Sequence, residues 1–313
     1  MTGPAHGPAD RRAADYLLPL LRLAARAGDA ILEVYESDDV EAERKADDSP
    51  LTLADRRAHD LIDAGLRELA PEIPILSEEG AHADYAERSG WRELWLVDPL
   101  DGTKEFLKRN GEFTVNIALV RDGEPVAGVV YAPVRGQAWA GVAPPRTADG
   151  PAGRSTEDAA SGRAAPGRAW KLTRAALDAA SPDAGPDDIG TPISVRDHDP
   201  RRIVVIASRT HLNDETKAFV DRATAGFDDV EIVNVGSSLK LCYVAEGRAD
   251  LYPRYAPTSE WDTAAGHAVV RAAGGEIYQA GPDARGAPRG HTDRPLRYNK
   301  ENLLNPWFVV RAW

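Results

Sequence analysis

The sequence predicts a first half in which helices lie on an antiparallel sheet, followed by an α/β second half with partly parallel strands. Two observations predict this fold class. Two amphipathic helical stretches precede a series of short apolar strands, and strands alternate with helices beyond Ile193. The 313 residues can bury the core of one large domain or of two ordinary ones. We expect an N-terminal domain over residues 1–195 and a C-terminal domain over residues 196–313.

The elements of the first half follow from apolar spacing. Apolar residues recur at helical intervals over residues 15–35 and again over 54–69. Short apolar runs then predict strands at 73–76, 94–97, 113–120 and 125–134. The last two strands flank Asp122-Gly123, which is a hairpin turn signal.

The second half alternates strands and helices. The predicted strands are 203–207, 230–235 and 250–252, and the predicted helices are 215–225, 238–246 and 262–273. Before this half, residues 143–168 consist largely of Ala, Gly, Pro and Arg and offer little to bury. We interpret them as a mobile insertion between two edge strands.

Composition excludes several classes of function. The formal net charge is −12 and there is no basic stripe, which argues against binding to a nucleic acid polymer but not against a small anion held through metal ions. The single cysteine, Cys242, excludes an intrachain disulfide, and its apolar neighbours predict a buried side chain. No stretch approaches the roughly 20 apolar residues of a membrane span, so we expect no membrane insertion and a cytoplasmic location.

The segment WLVDPLDGTKEF places two carboxylates at the end of the strand at 94–97. Asp98, Pro99, Asp101 and Gly102 are turn formers that we expect to end this strand. The carboxylates of Asp98 and Asp101, with the carbonyl of Leu100, could then face one point. Such oxygens suit a hard divalent cation like Mg²⁺. A solvated turn is the alternative interpretation of this segment taken alone.

Two further acidic segments favour the metal interpretation. In ILSEEG, Glu78 and Glu79 directly follow a predicted strand, where a carboxylate could join a metal site. In EWDTAAGHAVVRAAGG, Asp262 is expected at the cap of a buried helix. Helix capping is the alternative role for Asp262 when it is considered alone.

The segments SEEG, WLVDPLDGTKEF and WDTAAGHAVVRAAGG together resemble the inositol monophosphatase family of Mg²⁺-dependent, lithium-sensitive phosphatases. The resemblance covers nearly the whole chain except the first dozen residues and the 143–168 loop. Within the family, KADDSPLTLAD, SRTH and GSSLKLCYVAEGRADLYPR are most similar to the 3′(2′),5′-bisphosphate nucleotidases. The resemblance implies a layered α-β-α-β-α sandwich with an antiparallel N-terminal sheet and a mixed C-terminal sheet.

The resemblance also implies a catalytic apparatus. Two or three Mg²⁺ ions per site would be bound by the residues that match the family's ligands, which are Glu78, Asp98, Leu100 (through its carbonyl), Asp101 and Asp262. Thr103 matches the threonine that orients the attacking water, with Asp55 as its partner, and Glu78 would help to take the proton. Considered alone, Asp55 in the first turn of a helix is an ordinary complement to the helix dipole.

The predicted substrate contacts lie on both halves of the chain. Gly236, Ser237 and Ser238 should open a helix whose free N–H groups and hydroxyls suit an anion, and Lys240 adds a charge. Arg254 cannot accept hydrogen bonds, but it can pair with phosphate or stack on a base.

The remaining predicted contacts depend on the resemblance. It places Arg209 and His211 near the nucleoside and Lys104 near the mouth of the site. A surface turn is the alternative interpretation for Arg209 and His211, and a solvated basic run is the alternative for Lys104. Gly102 and Thr103 could offer backbone N–H groups to phosphate.

The expected reaction is removal of the 3′-phosphate from adenosine 3′,5′-bisphosphate, with the sulfated form of that nucleotide as a further possible substrate. The expected partner is therefore a small phosphorylated nucleotide, and the chain would be a monomer or a homodimer. An inositol or sugar phosphatase of the same family is the alternative enzyme. A metal- or nucleotide-binding regulator without turnover is the alternative of another class.

Overall fold

The computed structural model describes residues 12–37, 42–44, 50–144, 167–207, 213–281 and 291–313. Most of the predicted insertion at 143–168 lies outside these ranges, and so do Arg209 and His211. The expectation of a mobile loop and the two expected nucleoside contacts therefore stay predictions.

Five helices in the described ranges match the predicted ones to within two residues at each end, and four short helices were not predicted. A short 3₁₀ turn, Ala13–Tyr16, leads into the first of them. They are α1 (Leu17–Glu36), α2 (Leu53–Leu69), α3 (Tyr85–Arg88), α4 (Thr103–Leu107), α5 (Arg174–Asp178), α6 (Pro186–Ile189), α7 (Asp214–Thr224), α8 (Leu239–Ala245) and α9 (Glu260–Ala272).

The strands form two large sheets and one small one. They are β1 (Ala42–Arg44), β2 (Pro50–Thr52), β3 (Ile75–Ser77), β4 (Glu93–Asp101), β5 (Thr114–Arg121), β6 (Glu124–Ala132), β7 (Gln137–Val142), β8 (Arg168–Thr173), β9 (Thr191–Pro192), β10 (Arg202–Ile206), β11 (Asp229–Val233), β12 (Leu251–Arg254), β13 (Glu276–Ala280), β14 (His291–Pro295) and β15 (Phe308–Arg311). The small sheet pairs β1 with β2.

The first large sheet has the order β3-β4-β5-β6-β7-β8-β9. Its pairs are antiparallel as predicted, except that β3 runs parallel to β4. The hairpin between β5 and β6 turns through Asp122 and Gly123, both with positive φ, which confirms the predicted turn.

The strands on either side of the 143–168 insertion were expected to be edge strands, and this expectation is wrong. β7 and β8 pair with each other along their whole lengths, and the two-residue β9 lies beyond β8. Composition alone describes only the loop and not which strands flank it.

The second large sheet has the order β11-β10-β12-β15-β13-β14. β10 runs parallel to β11 and β12, whereas the other pairs are antiparallel, so the predicted mixed sheet is confirmed. The sequence analysis did not predict β13, β14 or β15. β14 has no apolar run, whereas Phe308–Val310 of β15 is a short apolar run that was missed.

The described residues form five layers that are held together by three apolar cores, and the middle core includes the helices between the two sheets. Helices α1 and α2 cover one face of the first sheet, and α7 covers the outer face of the second. Between the sheets, α8 and α9 pack against the inner faces of both. This order confirms the α-β-α-β-α sandwich. The proposed boundary at residue 195 stays a prediction, since the middle core takes side chains from both sides of it.

Among the helices in the parts of the chain that the structure describes, none combines the length and hydropathy needed to cross a bilayer.

Candidate active site

A β-bulge brings the two carboxylates of the DPLDG segment to one face of the first sheet. β4 does not end before Asp98, as we expected, but continues to Asp101. Asp98 pairs with Asn116 and Asp101 with Thr114, so three steps along β4 match two along β5. Side chains alternate between faces of a strand, and the one extra residue therefore turns both carboxylates to the same side. A bulge is also where an interior strand tolerates a proline such as Pro99.

Glu78 reaches the same place from the neighbouring strand. It directly follows β3, and its N–H donates to the carbonyl of Val97 at 3.1 Å. Because β3 and β4 are parallel, Glu78 leaves the sheet beside Asp98.

Asp262 comes from the helix between the two sheets. Ser259 is the N-cap of α9, and Asp262 is the third helical residue, so the expectation that Asp262 itself forms the cap is wrong. Its Oδ2 accepts the N–H of Ser259 at 2.8 Å, which is the backward bond of a capping box. Capping and site formation are thus compatible, because the second carboxylate oxygen is not needed for the cap.

Carboxylate oxygens of Glu78, Asp98 and Asp262 all lie within 4.8 Å of one another. Burial, reinforced by the charges of Glu78, Asp101 and Asp262, raises the pKa of Asp98 well above its ordinary value. Burial, followed by the charge of Asp101, raises the pKa of Asp262 to about 8. Such crowded carboxylates are the donor set that a hard divalent cation prefers, so these residues fit the metal that the sequence predicts.

Asp101 lies at the border of this carboxylate group. Its Oδ2 accepts the backbone N–H of Ser238 at 2.6 Å and the hydroxyl of Ser238 at 2.8 Å. The proposed role of the Leu100 carbonyl in binding metal stays a prediction. The backbone N–H of Leu100 donates to Asp98 Oδ1 at 3.1 Å and so holds that carboxylate in place.

Asp55 and Thr103 meet beside the carboxylate group, as the sequence predicts. Asp55 is buried in the first turn of α2, where its Oδ2 accepts the N–H of Thr52 at 2.7 Å and the hydroxyl of Thr52 at 2.5 Å. The hydroxyl of Thr103 lies 3.5 Å from Asp55 Oδ1 and 3.5 Å from the Leu100 carbonyl. These long contacts are typical of catalytic hydrogen bonds before substrate binds.

A cavity of about 270 Å³ opens next to the carboxylates. Many of the predicted substrate contacts line it, together with several residues that the sequence did not point to. The lining residues are Asp101, Gly102, Lys104, Glu105, Ser237, Ser238, Lys240, Leu241, Tyr252, Arg254, Thr258, Asp262, Thr263 and Phe308. The structure thus brings both halves of the chain to one pocket, while Thr103 and Gly236 lie next to its lining residues in sequence.

Two of the three N–H groups before α8 that we expected to be free, those of Gly236 and Ser238, are already hydrogen-bonded. Gly236 donates its N–H to Glu112 Oε2 at 2.7 Å, and Ser238 donates to Asp101 as described above. The helix itself begins only at Leu239. Within the described ranges, the buried Ser237 Oγ and Arg254 Nε have no hydrogen-bond partner, so they are the polar atoms that a ligand could engage.

Glycine is required at one turn of the site. Gly102 adopts φ +95° directly after β4, and a Cβ there would lie 3.2 Å from the Glu112 carbonyl and 3.3 Å from Ser237 Cβ. The left-handed conformation and the close approach of the chain both favour glycine at this position.

Sequence reasoning missed the aromatic wall of the cavity. Tyr252 and Phe308 pack edge to face with ring centroids 5.9 Å apart, and the Lys240 ammonium lies 5.9 Å from the Tyr252 ring centroid. Tyr252 read as an ordinary core residue of the predicted strand at 250–252, and Phe308 lies in β15, which was not predicted. Asn116 was missed as well, although a polar residue in the apolar run TVNIALV was a usable signal.

Cys242 is buried as predicted, and two histidines outside the carboxylate group also have structural partners. Cys242 is fully buried, and burial raises the pKa of its thiol. His267 is also fully buried, with its ring nitrogens 2.8 Å from the Tyr298 hydroxyl and 2.5 Å from Glu276 Oε1. His59 lies 3.0 Å from the hydroxyl of Ser77.

Comparison with known proteins gives consistent matches along the chain. The model of the inositol monophosphatase family matches residues 14–305. The 3′(2′),5′-bisphosphate nucleotidase CysQ of Salmonella typhimurium strain LT2 is 43% identical, over 93% of this chain and 98% of that protein. The corresponding CysQ of Escherichia coli strain K12 is 41% identical over the same shares.

Solved structures agree with these matches. The crystal structure of CysQ from Bacteroides thetaiotaomicron superimposes with a TM-score of 0.74 at 43% identity, covering 96% of this chain and 97% of that one. The extragenic suppressor protein SuhB from Bartonella henselae shares the fold with a TM-score of 0.59 at 22% identity, covering 92% of each chain.

Proposed function

The chain belongs to the inositol monophosphatase family, and from this premise we propose that it is a metal-dependent phosphatase that removes the 3′-phosphate of adenosine 3′,5′-bisphosphate. One observation carries the proposal. The carboxylate group opens into a cavity that is also lined by Lys240 and Arg254, so a site for cations adjoins a site for a second anionic group. The relatives that share about two fifths of its residues along nearly the whole chain are named as nucleotidases for this class of substrate.

Magnesium is the proposed cofactor, with two or three ions per site. The residues that would hold it are Glu78, Asp98, Asp101, Asp262 and the carbonyl of Leu100. When bound, divalent cations polarise the phosphorus and promote ionisation of water. Lithium sensitivity, which the family resemblance implies, belongs to the same proposal and is checked by adding lithium salts to the activity assay.

Thr103 and Asp55 would orient the attacking water. Asp55 Oδ1 accepts a hydrogen bond from the Thr103 hydroxyl, so the hydroxyl oxygen is turned to accept a hydrogen bond from water. Glu78 lies in the carboxylate group and can take the proton that this water loses. As the water oxygen bonds to phosphorus, the bond to the 3′ oxygen breaks and this oxygen takes up a proton from solvent, which yields the 5′-monophosphate and inorganic phosphate.

The rest of the cavity would hold the remainder of the nucleotide. Lys240 and Arg254 can pair with the 5′-phosphate, and the hydroxyl of Ser237 can donate to an anionic oxygen. Arg254 is already oriented, because its Nη2 donates to the Pro257 carbonyl at 3.0 Å. Gly102, Thr103 and Lys104 would lie on the side of the 3′-phosphate, next to the metal ligands.

Phosphate release from three substrates tests the assignment. We expect adenosine 3′,5′-bisphosphate to be hydrolysed with the highest kcat/KM in Mg²⁺, well above inositol 1-phosphate and fructose 1,6-bisphosphate. Asp98→Asn is the control for contaminating phosphatases and should be inactive. A comparable kcat/KM on either of the other substrates would contradict the nucleotide assignment. Tight nucleotide binding without phosphate release would instead support a regulator. The cytoplasmic location and the choice between monomer and homodimer stay predictions.

A further inference from the structure

Ser238 lines the cavity, but its hydroxyl is engaged by three other parts of the site. Its side chain is only 3% exposed. The hydroxyl lies 2.9 Å from Asn116 Nδ2, 2.8 Å from Asp101 Oδ2 and 2.8 Å from the backbone carbonyl of Asp262. These three partners belong to β5, β4 and α9, so one hydroxyl contacts two predicted metal ligands, Asp101 and Asp262.

The chemistry of these groups fixes the direction of the bonds. The amide nitrogen of Asn116 can only donate, whereas a carboxylate and a carbonyl can only accept. The Ser238 hydroxyl must therefore accept from Asn116 and donate its single proton to Asp101 or to the Asp262 carbonyl. The neighbouring N–H of Ser238 also donates to Asp101 Oδ2, at 2.6 Å. Both bonds to Asp101 end on Oδ2, so Oδ1 is the oxygen that can bind a cation.

Burial of the polar side chain of Asn116 costs free energy of folding. It is fully buried in an apolar strand, and it stands opposite Asp98 in the pairing of β4 with β5. A buried amide is expensive unless it is hydrogen-bonded. Its bond to Ser238 offsets part of this cost and holds the serine oxygen next to Asp101.

We propose that Asn116 and Ser238 are a positioning pair that orients Asp101 toward the metal, and that Ser238 acts through this ligand and not on the substrate. The proposal rests on the proposed function, in which Asp101 is a metal ligand. Ser237 provides the contrast, since its Oγ is buried at the cavity without a partner in the described ranges. Of the two neighbouring serines, Ser237 would therefore be the one that contacts the nucleotide.

Two matched alanine variants test the proposal. Mn²⁺ binding to the substrate-free protein is measured by electron paramagnetic resonance, and the KM for adenosine 3′,5′-bisphosphate is measured at saturating Mg²⁺. Ser238→Ala should weaken Mn²⁺ binding about tenfold or more, as is usual when a residue that orients a metal ligand is lost, with KM within about twofold of wild type. Ser237→Ala should show the opposite pattern, with Mn²⁺ binding unchanged and KM raised about three- to tenfold. Asn116→Ala should resemble Ser238→Ala.

Every outcome of the comparison is decisive. The proposal is wrong if Ser238→Ala raises KM but binds Mn²⁺ normally, or if it changes neither quantity. Unfolding of Ser238→Ala at the assay temperature would also contradict it, because the pair would then hold the fold and not merely orient a ligand. If wild-type protein binds Mn²⁺ but hydrolyses no nucleotide, the proposed function fails, while the binding measurements still test the pair.

Discussion

The starts of α2 and α9 are built alike but face different surroundings. Each helix carries an aspartate at its third position, and each aspartate accepts the N–H of the N-cap residue. The distances are 2.7 Å from Thr52 to Asp55 and 2.8 Å from Ser259 to Asp262. The local motif is therefore the same at the two helices, which lie on opposite faces of the first sheet.

What differs is the set of groups that each carboxylate meets. Asp55 contacts hydroxyls, those of Thr52 and Thr103. Asp262 contacts other carboxylates, and its pKa rises to about 8. The capping motif fixes where a carboxylate lies, whereas the packing of distant elements decides its chemistry. This difference supports the proposal that Asp55 orients a hydroxyl and that Asp262 binds metal.

The largest expected effect comes from removing the charge at α9. Asp262→Asn replaces a ligand carboxylate by a neutral amide, and we expect phosphate release to fall more than a hundredfold. Asp63→Asn, on the exposed side of α2, is the matched control and should retain near-wild-type activity, because surface ion pairs such as that with Arg67 contribute little. A loss below tenfold in Asp262→Asn would remove the distinction between the two helix starts.

The aspartate-to-asparagine substitution at α2 should lower kcat without changing the Mg²⁺ requirement. Asp55→Asn should lower kcat by about a hundredfold, a typical contribution of positioned proton-transfer groups. If the amide oxygen keeps the bond from the Thr52 N–H, the amide NH₂ group faces Thr103 in place of the accepting Oδ1. The Mg²⁺ concentration for half-maximal activity should stay within about twofold of wild type. Thr103→Ala should reproduce both results. A strong rise in the Mg²⁺ requirement of Asp55→Asn would mean that Asp55 also belongs to the metal site.

Lys240 and Arg254 in the cavity should contribute to activity by contacting the part of the substrate that is far from the reacting phosphate. We expect Lys240→Ala to lower kcat/KM for adenosine 3′,5′-bisphosphate about tenfold or more, because a charge-assisted contact is typically worth roughly 1.5–3 kcal/mol. Its kcat/KM for p-nitrophenyl phosphate, which has no second phosphate, should change less than about twofold. Arg254→Ala should follow the same pattern. Equal losses on both substrates would place these residues in the support of the fold or of the metals.

The smallest expected effect is on how the stability of the metal-free protein depends on pH. Asp262 titrates near 8 when folded, against an ordinary value of 3.8, so the folded state keeps a proton that the unfolded state releases. The free energy of unfolding should therefore fall as pH rises from about 4 to about 8. In Asp262→Asn this decline should shrink, and the melting temperature at pH 8 should rise by a few degrees. Thermal unfolding in a chelator measures this, and a lower melting temperature for the variant would contradict the crowding of carboxylates.

The sequence predicted which acidic residues come together better than it predicted the backbone that positions them. Glu78, Asp98 and Asp262 could be grouped because three acidic segments follow predicted strands or open a helix. The continuation of β4 to Asp101 could not be predicted, because turn formers at a bulge look the same as turn formers that end a strand. A local pattern does not report the pairing partner across the sheet, and here that partner decides the outcome.

The orientation of the ligands was also beyond the sequence. The bonds of Ser238 to Asn116 and Asp101 join residues more than a hundred positions apart, so no local pattern carries them. From its place in GSSLK, Ser238 reads as a substrate contact just as Ser237 does. Only the packing of α8 against the first sheet separates the two serines.

The most direct test of the difference between the two helix starts is a crystal structure of the wild-type protein grown with MnCl₂, with anomalous scattering used to locate the metal. We expect anomalous density among the carboxylates of Glu78, Asp98 and Asp262, with the carboxylate of Asp55 bound to hydroxyls and not to metal. Density absent from this group, or a metal bound directly by Asp55, would show that the two helix starts do not differ in this way.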